Sequence, residues 1–160
     1  MKKYSLEIKW GVIFSVAILL WVGFERLIGL HGENVELHSS VTNFFAIPAI
    51  AVYLFALLDK RKTDYDGVMS WREGFMTGVF ITLVVVVLNP IVQSITHLLI
   101  SPDFLTNLIE FTTETGRMDQ AEAEEYFNLR NYITLGIVGS LFMGLATSAA
   151  VAIFSRKKAG

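Results

Sequence analysis

The chain has 160 residues, 53% of them apolar and 18% charged, with a net charge of −2 and no cysteine. Without cysteine, a disulfide framework and a thiolate metal site are both excluded. One soluble domain would fit the length, but the uncharged stretches at 10–24, 41–58, 75–101 and 132–154 exclude it, since each membrane crossing takes about 20 mostly apolar residues in a helix.

Span one is predicted over residues 10–30. It reaches that length by taking in Glu25 and Arg26 before Leu27, Ile28, Gly29 and Leu30. Gly11 and Ser15 form a small face. Continued at helical spacing, that face meets Val22, Arg26 and Gly29, so Arg26 is expected near the packing side, with Glu25 about 100° round the helix. A cleaved signal peptide is not expected, because no A-x-A-like site follows and Glu25-Arg26 would sit near the cut. Span two is predicted over 41–58, with a mild bend at Pro48. Asp64-Tyr65-Asp66-Gly67 reads as a turn.

Span three is predicted over 75–101, long enough to tilt or kink, with Pro90 as the kink. Gly74, Gly78 and Thr82 begin one of its faces, and Asn89, Gln93 and His97 recur on it every four residues. Residues 102–131 read as an outer helical loop. Ser101 is expected to cap a helix whose first turn holds Pro102. Phe104, Leu105, Leu108, Ile109, Phe111 and Thr112 make that helix amphipathic, and Gly116 ends it. It is expected to lie on the membrane surface or to cap the bundle. Asp119-Gln120-Ala121-Glu122 opens a second helix with a capping-box pattern, expected to run into span four. Span four, 132–154, carries Gly136, Ser140, Gly144, Ser148 and Ala152 at four-residue spacing. Such a line of small side chains lets another helix backbone approach closely. The partner, whether span one, span three or a second copy of the chain, is left open.

Charge sets the expected topology. Ten of the 13 Lys and Arg residues flank the same ends of the spans: Lys2, Lys3, Lys9, Lys60, Arg61, Lys62, Arg72, Arg156, Lys157 and Lys158. Basic residues near span ends stay cytoplasmic, so both termini are expected there. Lys60-Arg61-Lys62 is also expected to meet anionic lipid. The two halves show a weak parallel repeat, with Gly11-Val12-Ile13 answering Gly78-Val79-Phe80.

The basic start, the acid before Leu27-Ile28-Gly29-Leu30-His31, the stretch Gly67-Val68-Met69-Ser70-Trp71-Arg72-Glu73-Gly74-Phe75 with its following Gly78, the run Ser101-Pro102-Asp103-Phe104-Leu105, and the acidic loop before the last span together carry a resemblance. Over nearly its whole length the chain resembles the bacterial membrane-protein family catalogued as domain of unknown function 4199. The resemblance implies four spans. It implies no activity, substrate or catalytic residue.

The expected fold is all-α: a single membrane domain over 1–160, a bundle of four transmembrane helices with an outer amphipathic helix between spans three and four. The expected polar intramembrane cluster is Glu25, Arg26, Asn89, Gln93 and His97. Equal distance from the outer ends of spans one and three puts these residues at equal depth, and unpaired polar groups must avoid lipid. Helix packing is assigned to Gly136, Ser140, Gly144 and Ser148. His31, His38 and His97 gather at the outer edge and are weak candidates for a His/carboxylate metal site with Glu25, Glu33, Glu36 or Asp103; their spacing is not diagnostic, so neither metal nor cofactor is expected.

No catalytic constellation appears. The expected function is a non-enzymatic protein of the bacterial inner membrane, either a small transport or permeation unit or an accessory subunit. Its expected partners are membrane lipid and a second copy of the chain, without nucleic acid. The alternative is an intramembrane or interfacial enzyme with Glu25 or His97 as acid/base near the outer face.

Overall fold

Apolar runs bounded by charged or capping residues fold here into seven helices, and no strand forms among the described residues. The structure, a computed structural model, describes residues 4–157; Lys2, Lys3 and Lys158 of the topology argument lie outside them. The helices are α1 (Ser5–Leu27), α2 (Val35–Val41), α3 (Ala46–Asp64), α4 (Trp71–Ile95), α5 (Phe104–Glu114), α6 (Gln120–Tyr126) and α7 (Leu129–Ser155). A 3-10 turn, Thr42–Phe45, joins α2 to α3, and a π turn, Thr96–Ile100, extends α4. Four helices are long and apolar enough to cross a membrane: Ser5–Leu27, Val35–Asp64, Trp71–Ile100 and Leu129–Ser155. Each differs from its predicted bounds chiefly at polar ends, which hydropathy excludes and the helix includes.

Local chemistry explains the breaks. Pro48 has no N–H to give residue 44 and its ring crowds that carbonyl, so the chain tightens into the 3-10 turn just before α3 settles. Ser70 opens α4 with a reciprocal capping box, its side chain accepting from Glu73 N–H while the Glu73 carboxylate accepts from Ser70 N–H at 2.8 Å. Asp119 and Glu122 do the same for α6. Gly116 follows α5 at φ 66°, the left-handed position a helix stop favours. Two expectations are corrected. Asp103, not Ser101, is the N-cap of α5, because Ser101 is drawn into a buried contact described below. The acidic helix does not run into span four: Phe127 leaves helical geometry and Asn128 starts α7 afresh, accepting from Asn131 N–H at 2.9 Å.

The small-residue line of α7 packs on α4 of the same chain, the most extensive helix contact in the molecule. A Cβ on Gly144 would lie 2.5 Å from Thr82 Cγ2, and one on Gly78 would collide with the Ser148 side chain. Gly11 of α1 meets Val84 as closely. The face offered above to a second copy is therefore occupied from within. Ser140 is only half-buried and borders a crevice of about 320 Å³ between α1, α3, α4 and α7. Tyr53, Ala56, Leu57, Met69, Ile81, Val151 and Ala152 form the buried core. Thr82 donates to Gly78 O at 2.9 Å, which makes Tyr53 the donor in its 2.8 Å bond to Thr82 Oγ1. Outward, Leu27 is 86% exposed and Phe154 79%; apolar surface of that kind is at home in hydrocarbon rather than water.

One end of the helices is tied by charge. Lys60 Nζ lies 2.8 Å from Glu7 Oε1 and 2.5 Å from Asp64 Oδ2, with Lys60 and Glu7 both buried. Asp59 takes Lys9 Nζ at 2.6 Å and Trp10 Nε1–H at 2.8 Å. Arg61 donates to Ser155 O at 2.7 Å, and Met69 and Lys157 pair through their backbones. Two of the three basic residues expected to meet lipid headgroups, Lys60 and Arg61, instead clamp α1, α3 and α7 together.

Candidate functional site

The opposite end holds all three histidines of the chain. Geometry there begins with the buried face of α1, which runs through Glu7, Gly11, Ser15 and Glu25. Glu25 lies 18 residues beyond Glu7, five turns at about 3.6 residues each, and so repeats its inward angle, whereas Arg26 is turned about 100° from it. Glu25 is thus the inward residue and is buried, whereas Arg26 is exposed. Arg26 stands instead on the rim of a surface depression of about 370 Å³ with Glu33, Asp103 and Asn107, and His31 forms part of its lining.

A tight reversal then folds the chain back over Glu25. Gly29 takes φ 81°, a value that suits glycine, and Asn34 Nδ2 donates to Ile28 O at 3.0 Å across the turn. His31 leaves this reversal toward α1, and α2 starts at Val35, so that His38 on its second turn returns to the same depth. Glu25 Oε2 lies 3.4 Å from His31 Nε2 and 3.8 Å from His38 Nε2. The Glu25, His31 and His38 ligand atoms all fall within 4.8 Å of one another.

The surroundings hold two of these groups in place. Trp21, four residues before Glu25 and so on the same face, donates its indole N–H to Glu25 Oε1 at 2.7 Å. His31 Nδ1 lies 2.6 Å from Ser101 Oγ in a buried contact, and its backbone carbonyl accepts from Asn107 Nδ2 at 2.7 Å. The π turn delivers Ser101, whose N–H reaches back to Thr96 O at 2.7 Å. Phe104, at the start of α5, lies against every histidine ring, with centroids 4.2 Å from His31, 4.7 Å from His38 and 6.0 Å from His97. Together with Leu108 and Thr112 it forms the buried stripe of α5.

Asn89, Gln93 and His97 sit along the neighbouring face of α4 and its π turn. Asn89 and His97 are buried and Gln93 half-buried. Asn89 and Gln93 press on Gly136 of α7, where a Cβ would stand 2.6 Å from Asn89 Nδ2 and 2.8 Å from Gln93 Nε2. His97 packs edge-on to Tyr132 with centroids 4.9 Å apart, and neither of its ring nitrogens finds a hydrogen-bond partner among the described residues. The polar residues singled out in the sequence thus fall into separate settings. Glu25 joins His31 and His38, Asn89 and Gln93 meet α7, His97 borders the first group through Phe104, and Arg26 faces outward. Trp21, Ser101 and Phe104 were not anticipated as parts of the site. The i, i+4 spacing of Trp21 and Glu25 was the one local signal for any of them.

A buried carboxylate flanked by two imidazoles can hold a proton or a cation, and burial makes an unpaired charge there costly. The family model described as "Protein of unknown function (DUF4199)" matches residues 9–157, nearly the whole chain. No curated protein and no solved structure shows significant similarity to it.

Proposed function

We propose, for a chain that belongs to the family described as "Protein of unknown function (DUF4199)", a non-enzymatic role in the bacterial inner membrane: an accessory subunit or small transport unit that keeps an occluded polar site at its outer end. The observation that carries this reading is the cluster of buried Glu25 and His31 with His38, both histidine rings lying against Phe104. Between it and the Glu7–Lys60 pair lies the packed layer of Tyr53, Leu57, Ile81 and Val85. That layer favours an accessory, ligand-holding role over permeation through one copy. The enzyme alternative needs a substrate atom within hydrogen-bond reach of Glu25 or His97, and both side chains are buried.

Cysteine introduced at Leu30, which is buried next to His31 and whose N–H bonds Glu25 O, tests the occlusion in a chain with no native cysteine. A polar thiol reagent applied from outside should leave Leu30→Cys unlabelled while labelling Glu33→Cys on the rim. Rapid labelling at both positions means an open, water-filled cavity and overturns the occluded reading.

Orientation follows from the basic residues gathered at the Lys60 end. Reporter fusions at Lys62 and Glu114 should give opposite signals, cytoplasmic for Lys62 and external for Glu114. Matching signals at the two sites would defeat the four-span topology.

A further inference from the structure

We infer that Glu25, His31 and His38 form a binding site for a divalent first-row transition metal ion, best matched to Zn²⁺. This rests on reading their cluster as an occluded ligand site, and it names the ligand.

Distance is the first argument. An N–H···O hydrogen bond spans about 2.7–3.2 Å. The Glu25 Oε2 separations of 3.4 Å to His31 and 3.8 Å to His38 exceed that. Two ligand atoms that share a four-coordinate zinc at about 2.0–2.1 Å each stand roughly 3.3–3.4 Å apart, by tetrahedral geometry. The two separations from Glu25 are thus near those of ligands sharing an ion, and the three ligand atoms, within 4.8 Å of one another, would draw together around it by movement of the His38 ring.

Support for the ligands is the second argument. A metal-bound histidine commonly gives its other ring N–H to an acceptor, which fixes the tautomer, and a ligating carboxylate is itself held by a hydrogen bond. Both devices are present. Ser101 Oγ stands at His31 Nδ1, able to accept its proton and leave the Nε2 lone pair facing Glu25. Trp21 holds Glu25 Oε1, leaving Oε2 between the two imidazoles. Two neutral imidazoles and one carboxylate make a donor set that suits zinc and leaves a fourth position for water. The positive ion would also offset the charge of Glu25, a carboxylate only 2% exposed.

Entry is the third. The depression whose lining includes His31 carries Glu33 and Asp103 on its rim beside Arg26. It offers a hydrated cation a route with two acids and one base along it.

The full chain, purified in detergent and stripped with a chelator, should take up one equivalent of Zn²⁺ by elemental analysis after dialysis. Co²⁺ loaded in its place should give the intense visible absorption of a four-coordinate N/O site. His38→Ala and Glu25→Gln should each weaken Zn²⁺ binding at least a hundredfold. Ser101→Ala should weaken it about ten- to a hundredfold, as loss of a supporting hydrogen bond does. His97→Ala, outside the ligand set, should bind as the unmodified chain does. Failure of the unmodified chain to hold a stoichiometric ion overturns the proposal, as does equal binding in the folded His38→Ala and Glu25→Gln variants. If Leu30→Cys stays protected in either case, the occluded reading stands and only the metal is lost. Labelling at Leu30→Cys with zinc still bound would sink the occlusion and keep the metal.

Discussion

Lys60→Met should destabilise the fold by about 3–5 kcal/mol, the usual cost of removing one member of a buried ion pair. The reason is Glu7. Its carboxylate is buried, and Oε2 has no hydrogen-bond partner among the described residues, so the 2.8 Å contact of Oε1 with Lys60 is its compensation. Removing the ammonium leaves a charge that burial penalises. Asp64, the other partner of Lys60, is 41% exposed in its side chain, and Asp64→Asn should cost no more than about 1 kcal/mol. Unfolding of the detergent-solubilised protein by a denaturing surfactant measures both. The double variant Glu7→Gln, Lys60→Met separates pairing from packing: it should recover most of the loss, because no charge then remains buried. Equal losses in the single and double variants would show that the Lys60 stem, not its charge, matters.

Gly144→Leu should lower the yield of folded protein about tenfold or more, since overpacking of a tight contact costs about 1–3 kcal/mol and the clash here is with a neighbouring helix. At 2.5 Å from Thr82, even a Cβ forces α4 and α7 apart. Separation also strains the hydrogen bond of Thr82 with Tyr53, which crosses from α3 to α4 in the core. Gly139 provides the comparison within the same helix, for nothing lies within 4 Å of a Cβ built there. Gly139→Leu should express and elute as the unmodified chain does. If the two variants behave alike by size-exclusion profile and yield, α7 does not pack on α4 through this face.

Features written in consecutive residues were legible in advance. Long uncharged runs located the four long helices, Asp119-Gln120-Ala121-Glu122 announced its capping box, and Gly116 marked a helix end. The site was less legible because it depends on two things a linear pattern does not carry. The first is accumulated angle: over the 18 residues from Glu7, five turns at about 3.6 residues each, the inward phase returns at Glu25 and leaves Arg26 about 100° off. The second is a backbone reversal. His31 and His38, seven residues apart, meet at Glu25 only because Gly29 turns left-handed and α2 begins directly afterward. Ser101 misled for a related reason. Its sequence neighbourhood, Ser-Pro-Asp, is a good helix start, yet a buried histidine across the molecule competes for its hydroxyl and prevails. Lys60 likewise looked like a headgroup contact, because its partner Glu7 lies 53 positions away on another helix.

The π turn at Thr96–Ile100 has a consequence for how chains of this kind are to be aligned. A π turn holds one residue more than the α turn it replaces, and here the surplus lets Thr96 and His97 both point inward before Leu98 and Leu99 point out. It also sets the rotational phase of everything beyond, including Ser101 and Phe104. Deleting one residue in this turn would restore a plain helix and swing both by about 100°, carrying the hydroxyl away from His31 and the aromatic ring off the histidines. A relative with a gap at this point would therefore lack the same closure even if Glu25, His31 and His38 were all retained. An insertion or deletion there, more than a substitution at any ligand position, would divide chains that share this architecture into those that can shut the histidine end and those that leave it open.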